Sequence, residues 1–303
     1  MTTILQELRN IVTRPKYFLN YLHTIGYFIV YYNCYNILWN VNYHSYNNLN
    51  LLTPHRMEGY TPPAPPLLVA ILLGWSLYGI VTIGHDAVHH SYSPCKPLNR
   101  LVSFIVLDMV VSPSRWTLEH NHNHHHYLKS SKDTMNITKS KYLLIELKNL
   151  ISSMRKVGKE TFMDEVYRFP FLISMLHLPL VLLPVIYITI LLCLGYLTYI
   201  THSLSTTRRV PPKPRSREYI LDNTWDVFPD SHFWNFIFGS INVHASHHCY
   251  PMATRWELIT HRSHLLARKY PNRYRVIKTW RQLLYLYRHR HDTVVGRPNL
   301  PQS

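Results

Sequence analysis

Histidine is concentrated at three places in this chain of 303 residues. Eleven of the 21 histidines fall into three short groups: His85, His89 and His90; then His120, His122, His124, His125 and His126; then His244, His247 and His248. Imidazole nitrogen is a preferred ligand of iron, copper and zinc near neutral pH, and packing does not account for such density. The pattern therefore predicts a metal site assembled from separate segments.

The spacing within the groups favours two metal ions over one. Each group contains a single histidine followed three or four residues later by an adjacent pair. Helical residues four apart share a face, whereas neighbours in sequence point in different directions. One ring of a pair can then face a first metal while the other ring faces a second. Eight or more nitrogen donors suit two ions, and an all-nitrogen site open to exchange favours iron and oxygen chemistry.

The four cysteines do not form a metal or disulfide pattern. Cys34, Cys95, Cys193 and Cys249 are scattered, without a C-x-x-C pair. Structural zinc sites usually include paired cysteines, and disulfide scaffolds need them, so both are disfavoured. The scattered thiols are typical of a reducing compartment.

Long apolar segments lead into the histidine groups. Residues 17–39 carry no charged side chain, and 23 residues of helix reach about 35 Å, enough for a hydrocarbon core of about 30 Å. Residues 67–84 form the cleanest apolar segment, which ends directly on His85. Between them, residues 40–65 are rich in Asn, Tyr and Pro and predict a loop on the non-cytoplasmic side. We therefore expect a first transmembrane hairpin over residues 17–84.

Two further apolar segments decide which side of the membrane the groups occupy. Residues 101–111 are too short to span and contain Asp108, so they predict a re-entrant or interfacial helix. Residues 169–200 form an uncharged run of 32 residues with three prolines, which predicts a second transmembrane hairpin turning near the prolines. An even number of crossings puts all three groups on one side, whereas one tilted helix would separate the third.

The charge distribution predicts which side that is. The net charge is +16, with one Lys or Arg in residues 40–65 and many after His85. The positive-inside rule then assigns residues 1–16, 85–168 and 201–303 to the cytoplasm. The first residues lack a signal-peptide core, so insertion would depend on the internal segments. Without a recognised nucleic-acid module, the basic residues do not predict nucleic-acid binding.

Together the three motifs resemble the histidine boxes of integral-membrane fatty acid desaturases. These motifs are H-D-A-V-H-H at 85–90, W-x3-H-x3-H-H at 116–125 and H-A-S-H-H-C-Y-P at 244–251. The resemblance covers roughly residues 65–270 and includes N-T-W-D-V-F-P at 223–229, F-G-S-I-N at 238–242 and H-R-S-H-L-L at 261–266. It implies an all-α integral membrane protein in which four transmembrane helices carry a cytoplasmic helical cap with a histidine-ligated di-iron site.

The resemblance also implies a ligand set. Its members are His85, His89 or His90, His120, His124, His125, His202, His244, His247 and His248. Family members add a ligand between the last span and the third box, and His202 is preferred to His232 because it leaves the membrane as His85 does. A second register, with His122 and His126 as alternative ligands, is less favoured because family members place the first histidine of this box four residues after a tryptophan, as Trp116 and His120 are. Asp86, Glu119 and Asp226 are the carboxylates expected to orient ligating rings.

The implied reaction removes two hydrogens from an acyl chain at two iron ions, with O2 as co-substrate, and leaves a cis double bond and water. The substrate would be an acyl-CoA or acyl-lipid reached from the membrane lipids. Electrons would come from an external donor, cytochrome b5 or ferredoxin, because this chain has no H-P-G-G haem motif. A basic cytoplasmic face suits such an acidic carrier. The endoplasmic reticulum, with both termini cytoplasmic, is the expected location.

Two other functions compete with this prediction. A di-iron membrane hydroxylase or ketolase of a lipid shares the boxes and differs in adding oxygen, and E-H-x3-H-H at 119–125 resembles alkane hydroxylases. A histidine-rich zinc or copper transporter is more remote, because transporters place their ligands inside the spans near the midplane. Only His23 and His177 lie inside the predicted spans.

Overall fold

The computed structural model describes residues 15–50, 65–107, 117–128, 133, 173–203 and 216–288, and these are mostly helical. The helices are α1 Pro15–Asn50, α2 Pro66–Val88, α3 Lys96–Leu107, α4 His125–Tyr127, α5 Leu183–Ser203, α6 Arg217–Asn223, α7 His232–Ile237, α8 His244–Cys249, α9 Arg255–Glu257, α10 Ser263–Lys269 and α11 Trp280–Arg288. A π-helical segment, Thr117–His124, leads into α4, a second one, Leu258–Arg262, joins α9 to α10, and a 3-10 turn, Leu180–Leu182, precedes α5. Strands β1 Asp226–Val227 and β2 Val276–Ile277 pair in parallel.

Helix α2 is the centre of the helical bundle, with α1 and α5 against it. Its glycines allow close packing: a Cβ at Gly74 would lie 2.6 Å from the carbonyl oxygen of Ile186 in α5, and one at Gly79 would lie 2.4 Å from the ring of Tyr27 in α1. Among the described helices, α2 is the one that is long and apolar enough to cross a membrane. The arrangement of four spans stays a prediction.

The contacts show that α2 and α5 run in the same direction and α1 runs against them. Leu38, late in α1, shares a buried cluster with Val69, early in α2, and with Ile186, early in α5. Met175 and Leu178 join the same cluster. Residues near 178 therefore lie at the end of the bundle where α2 begins. From there α5 runs back to the end where α2 finishes. The break at Pro179 and the 3-10 turn lie at the predicted turn, and residues 169–172 are outside the described residues.

One boundary was wrong. The predicted loop over residues 40–65 is helical as far as Asn50. Asn and Tyr reduce helix stability by only a few tenths of a kcal/mol relative to better formers, and neither Pro nor Gly occurs between Gly26 and Pro54. The remainder of that loop lies outside the described residues, as do residues 1–14, residues 108–111 of the predicted interfacial segment, and all of residues 129–172 except Asp133.

The segment that leads to the third histidine group is fastened to α1 and α2 through its backbone. Three side-chain donors reach consecutive carbonyls at the end of α7: Tyr27 Oη donates to Phe236, Trp75 Nε1 to Ile237 at 2.9 Å, and Tyr78 Oη to Phe238 at 2.9 Å. The last carbonyls of a helix lack partners inside it, so these bonds satisfy them. Gly239 follows with φ of +58°, and a Cβ there would meet Thr82 at 2.3 Å. Close approach to α2 thus requires glycine at this turn.

We expect Gly79→Ala to destabilise the protein although alanine is the better helix former. The new methyl group would overlap the Tyr27 ring, and overpacking of a buried contact typically costs about 1–3 kcal/mol. Gly26→Ala is the matched control, since its Cβ would lie 3.3 Å from the edge of the Phe236 ring. Thermal unfolding in detergent should show a clearly lower midpoint for Gly79→Ala, and equal midpoints for the two variants would refute the proposed contact.

Candidate metal centre

Nine histidines from four separate segments meet at the end of the bundle where α2 and α5 finish. They form two groups, and within each group the potential ligand atoms lie within 4.8 Å of one another. Group A contains His85, His89, His120, His125 and His247, and group B contains His124, His202, His244 and His248. All nine rings are buried.

Adjacent histidines are divided between the two groups. His124 belongs to group B and His125 to group A, while His247 belongs to group A and His248 to group B. This arises because neighbouring side chains on a helix point in different directions. His244 and His248 are four residues apart on α8, and their Nε2 atoms are 3.0 Å apart.

The second histidine box is π-helical, which the sequence did not predict. Residues 117–124 adopt this wider helix, in which hydrogen bonds join residues five apart. His120 and His125, five apart, consequently come together in group A with their Nε2 atoms 3.2 Å apart. In an α-helix His124 would be the closer companion of His120. The wider turn therefore pairs His120 with His125 rather than with His124.

The first box lies at the end of α2. His85 is in the last turn of the helix, His89 follows directly, and their ring centroids are 4.8 Å apart. His90 is exposed and adopts a φ of +57°, which turns the chain away. Of the two alternatives, the structure places His89 in group A and His90 outside both groups.

The remaining candidates separate clearly. His202, at the end of α5, lies in group B with its Nε2 2.6 Å from that of His244. His232 is exposed on α7. His122 and His126 lie against each other, with ring centroids 4.8 Å apart, and belong to neither group. The register that includes His120 is therefore the one that enters the two groups.

Buried carboxylates hold one ring in each group. Asp86 Oδ1 lies 3.2 Å from Nδ1 of His85, and Asp133 Oδ1 lies 2.9 Å from Nδ1 of His124. An ionised carboxylate only accepts hydrogen bonds, so Nδ1 must donate and Nε2 keeps its lone pair for a metal. Arg255 in turn donates from Nε to Asp86 Oδ2 at 2.5 Å.

Asp226 was expected to orient a ligating ring, but its hydrogen bonds go to Ser246 and Tyr274 instead. It accepts hydrogen bonds from the backbone N–H of Ser246 at 3.1 Å, from the Ser246 hydroxyl at 2.5 Å and from the Tyr274 hydroxyl at 2.6 Å. It therefore holds the backbone of α8 between His244 and His247. Burial raises the pKa of Asp226 to about 6 despite these three donors. The side chain of Glu119 lies outside the described residues.

Asp133 and Arg255 were not identified from the sequence. Asp133 stands in a polar segment with several other acidic residues, and Arg255 is one of 32 basic residues, seven positions after His248. Neither has a spacing that points to a metal site. Their contacts depend on tertiary packing, which local patterns do not encode.

The donor set fits a pair of transition-metal ions. Nε2 atoms of neighbouring rings lie 2.9 Å apart for His85 and His120 and 3.2 Å for His125 and His247. Two nitrogens at right angles on an ion with metal–nitrogen bonds of about 2.1 Å would be about 3.0 Å apart. Nε2 of His89 is buried and has no hydrogen-bond partner among the described residues, as expected of an atom reserved for a metal.

The rings are also in the protonation state that metal binding needs. Burial, followed by the nearby histidines, lowers the pKa of most of the ligating rings, namely His89, His120, His125, His244, His247 and His248. Neutral imidazole has a free nitrogen lone pair, whereas imidazolium has none. These six rings are therefore neutral at pH 7.

Fold and site define a helical protein in which, among the described residues, two buried groups of histidines able to hold metal lie at the end of a membrane-length apolar helix. The fatty acid desaturase family model matches residues 62–149 and 165–280, well over half of the chain, and the chain belongs to this family. The predicted family is thereby confirmed. Over 64 residues the chain is 36% identical to the sn-1 oleoyl-lipid 12-desaturase of Anabaena variabilis. That alignment covers 21% of this chain and 18% of the relative.

We expect His124→Ala to lower the metal content of purified protein, because it removes a ring from group B. His122→Ala is the matched control, since this neighbouring histidine is exposed and belongs to neither group. Inductively coupled plasma mass spectrometry measures metal per protein. An equal loss in the two variants would contradict the assignment of this box.

We expect the metal-free protein to lose stability as the pH falls from 7 to 5. Histidines of the unfolded chain gain protons near pH 6.5, whereas the buried rings, with lowered pKa values, stay neutral. The unfolded state then binds more protons, so acid favours unfolding. Each ring still neutral at pH 5.5 costs about 1.4 kcal/mol. Thermal midpoints in chelator should fall across this window, and a constant midpoint would be incompatible with neutral buried rings.

Proposed function

We propose that this protein is an O2-dependent desaturase that introduces a cis double bond into a fatty acyl chain. The observation that carries the proposal is the convergence of nine buried histidines into two groups in a member of the fatty acid desaturase family. Membership of this family implies an oxidoreductase. The acyl substrate and the position of the double bond are the finer steps that an experiment must identify.

Iron is the metal that suits this donor set and family. One ion would be held by His85, His89, His120, His125 and His247, and the other by His124, His202, His244 and His248. When bound, a pair of iron ions supplies the oxidising power to remove two hydrogens from unactivated methylene groups while O2 is reduced to water. Two electrons from an external donor and two protons from the solvent complete the balance, so that each O2 yields two water molecules and one double bond.

The residues around the metals orient the ligands and keep water away. Each ligating ring is at most 8% exposed, so bulk water is excluded from the centre. Carboxylates hold His85 and His124 in one tautomer and one orientation. The protein itself would position the reacting carbons without activating them chemically. Which carbon pair reacts would then depend on which pair the protein holds nearest to the centre.

A membrane location is supported by apolar side chains that face outward. Phe18, Leu22, Ile25 and Ile29 follow one another along α1 at helical spacing, and each is about half exposed or more. Leu67 and Leu68 extend the apolar surface on α2. Exposed apolar faces of this kind usually contact lipid or another protein. We infer that the chain forms two transmembrane hairpins with four spans, carries the centre on the cytoplasmic side and resides in the endoplasmic reticulum.

The substrate and the electron donor follow from this location. An acyl-CoA or acyl-lipid would enter from the membrane. Cytochrome b5 or ferredoxin would bring electrons from the cytoplasm. A net charge of +16 would attract such an acidic carrier.

Fatty acid profiling of expressing cells tests the function. A host with both electron donors should gain an unsaturated methyl ester that lacks two hydrogens relative to its precursor. A His124→Ala, His125→Ala double variant removes one ring from each group and should reduce this product to background. Gas chromatography with mass spectrometry gives both the amount and the position of the double bond.

A second double variant controls for loss of histidines as such. His122→Ala, His126→Ala changes two rings of the same box that belong to neither group, so it should keep the product. A product that gains one oxygen atom would instead identify a hydroxylase or ketolase. Purified protein that binds zinc without iron and moves zinc into vesicles would identify a transporter.

A further inference from the structure

Each group of histidines contains one ring that is fixed by a buried carboxylate. His85 of group A is paired with Asp86, and His124 of group B is paired with Asp133. The side chains of the second pair are only 2% and 1% exposed. These pairs come from different parts of the chain, so each group has its own support.

Arg255 lies directly behind the first pair and is itself 1% exposed. All three of its nitrogens are engaged: Nε donates to Asp86 Oδ2 at 2.5 Å, Nη2 donates to Thr82 Oγ1 at 2.8 Å, and Nη1 lies 2.9 Å from Nδ1 of His23. The guanidinium therefore connects α9 with both α1 and α2. One oxygen of Asp86 binds Arg255, and the other is left for His85.

The local structure explains why Arg255 can reach this place. Thr254 caps helix α9, its hydroxyl accepts the backbone N–H of Glu257, and the Glu257 side chain bonds back to the Thr254 backbone. This capping box sets the direction of the first helical residue, which is Arg255. Arg255 follows His248 by seven positions, so the same segment carries the histidines of the third box and supports a histidine of the first box.

We propose that Arg255 and Asp133 are positioning residues of the metal centre, Arg255 holding His85 through Asp86 and Asp133 holding His124 directly. The proposal rests on the proposed function. A carboxylate that accepts from Nδ1 fixes the ring and commits Nε2 to the metal, and loss of such a partner typically lowers metal affinity about 10–100-fold. Because the two supports are separate, each should affect one metal and spare the other.

Cobalt binding tests the proposal without relying on turnover. Metal-free protein in detergent is titrated with Co²⁺, whose visible absorption bands report the ligand geometry at each site. Asp133→Asn keeps the shape of the side chain but removes the charge, and Arg255→Gln removes the guanidinium. Asp133→Asn should weaken one of two cobalt sites about 10–100-fold, and Arg255→Gln should weaken the other site. Each variant should shift the bands of its own site and leave the other site as in the wild type.

Arg273 and Asp222 provide matched controls. They form an Arg–Asp pair of similar length, 2.9 Å, whose side chains are 47% and 30% exposed. Arg273→Gln and Asp222→Asn should leave both cobalt sites and their spectra unchanged. Arg255→Lys keeps the charge but offers one nitrogen in place of three, so it should restore part of the lost affinity.

The outcomes separate the positioning roles from the function. Two cobalt sites with wild-type affinity and bands in Asp133→Asn and Arg255→Gln would overturn the proposal and leave the desaturase intact. If Arg255→Gln does not fold, Arg255→Lys decides the role of Arg255, and unchanged bands there would overturn it. Wild-type protein that takes up no pair of ions would overturn the proposed function itself.

Discussion

Nine imidazole rings with their nitrogens a few ångströms apart, in a place that water does not reach, form the constraint on which the rest of the structure depends. Protonated rings would repel one another there, and neutral rings lose their hydrogen bonds to water. Such a cluster is stable only when the unprotonated nitrogen of each imidazole binds a cation and its N–H group donates to an acceptor. Asp86 and Asp133 provide two of those acceptors. Binding of metal ions to these rings would therefore be coupled to folding.

The bundle provides the rigid frame that this cluster needs. Helices α2 and α5 run in parallel and end together, which brings His85 and His202 to one level. Glycine at position 74 lets these helices come close. Three sets of contacts fix the third box. Side chains of α1 and α2 donate to carbonyls at the end of α7, and Asp226 accepts from the backbone N–H of Ser246 in α8. Arg255, which follows the box, binds Asp86 of α2. The positions of the histidines thus depend on contacts between segments distant in sequence.

Residue types and local spacing single out the histidines that the structure brings together, but not the residues that surround them. The three boxes and the position of His85 at the end of an apolar helix are visible in the sequence because they depend on neighbouring residues. The π-helical second box is not, since no composition rule distinguishes it from an α-helix, and it decides that His120 joins His125. The extension of α1 to Asn50 was missed because Asn-rich composition suggests a loop, although nothing in residues 40–50 breaks a helix. Arg255 and Asp133 act across the fold and leave no local pattern.

The origin of the ligands has a consequence for how the protein can be divided. His85 and His202 belong to the ends of the long helices α2 and α5, and Arg255 reaches back to His23 in α1. The part of the chain that carries the two histidine groups is therefore not a separate module that could be detached from the bundle. A fragment cut free of the long helices would lose a ligand from each group, and a chimaera that exchanges the helices would have to carry these terminal residues with them. Substitutions intended to alter what the protein binds must therefore leave the nine histidines and the ends of α2 and α5 unchanged.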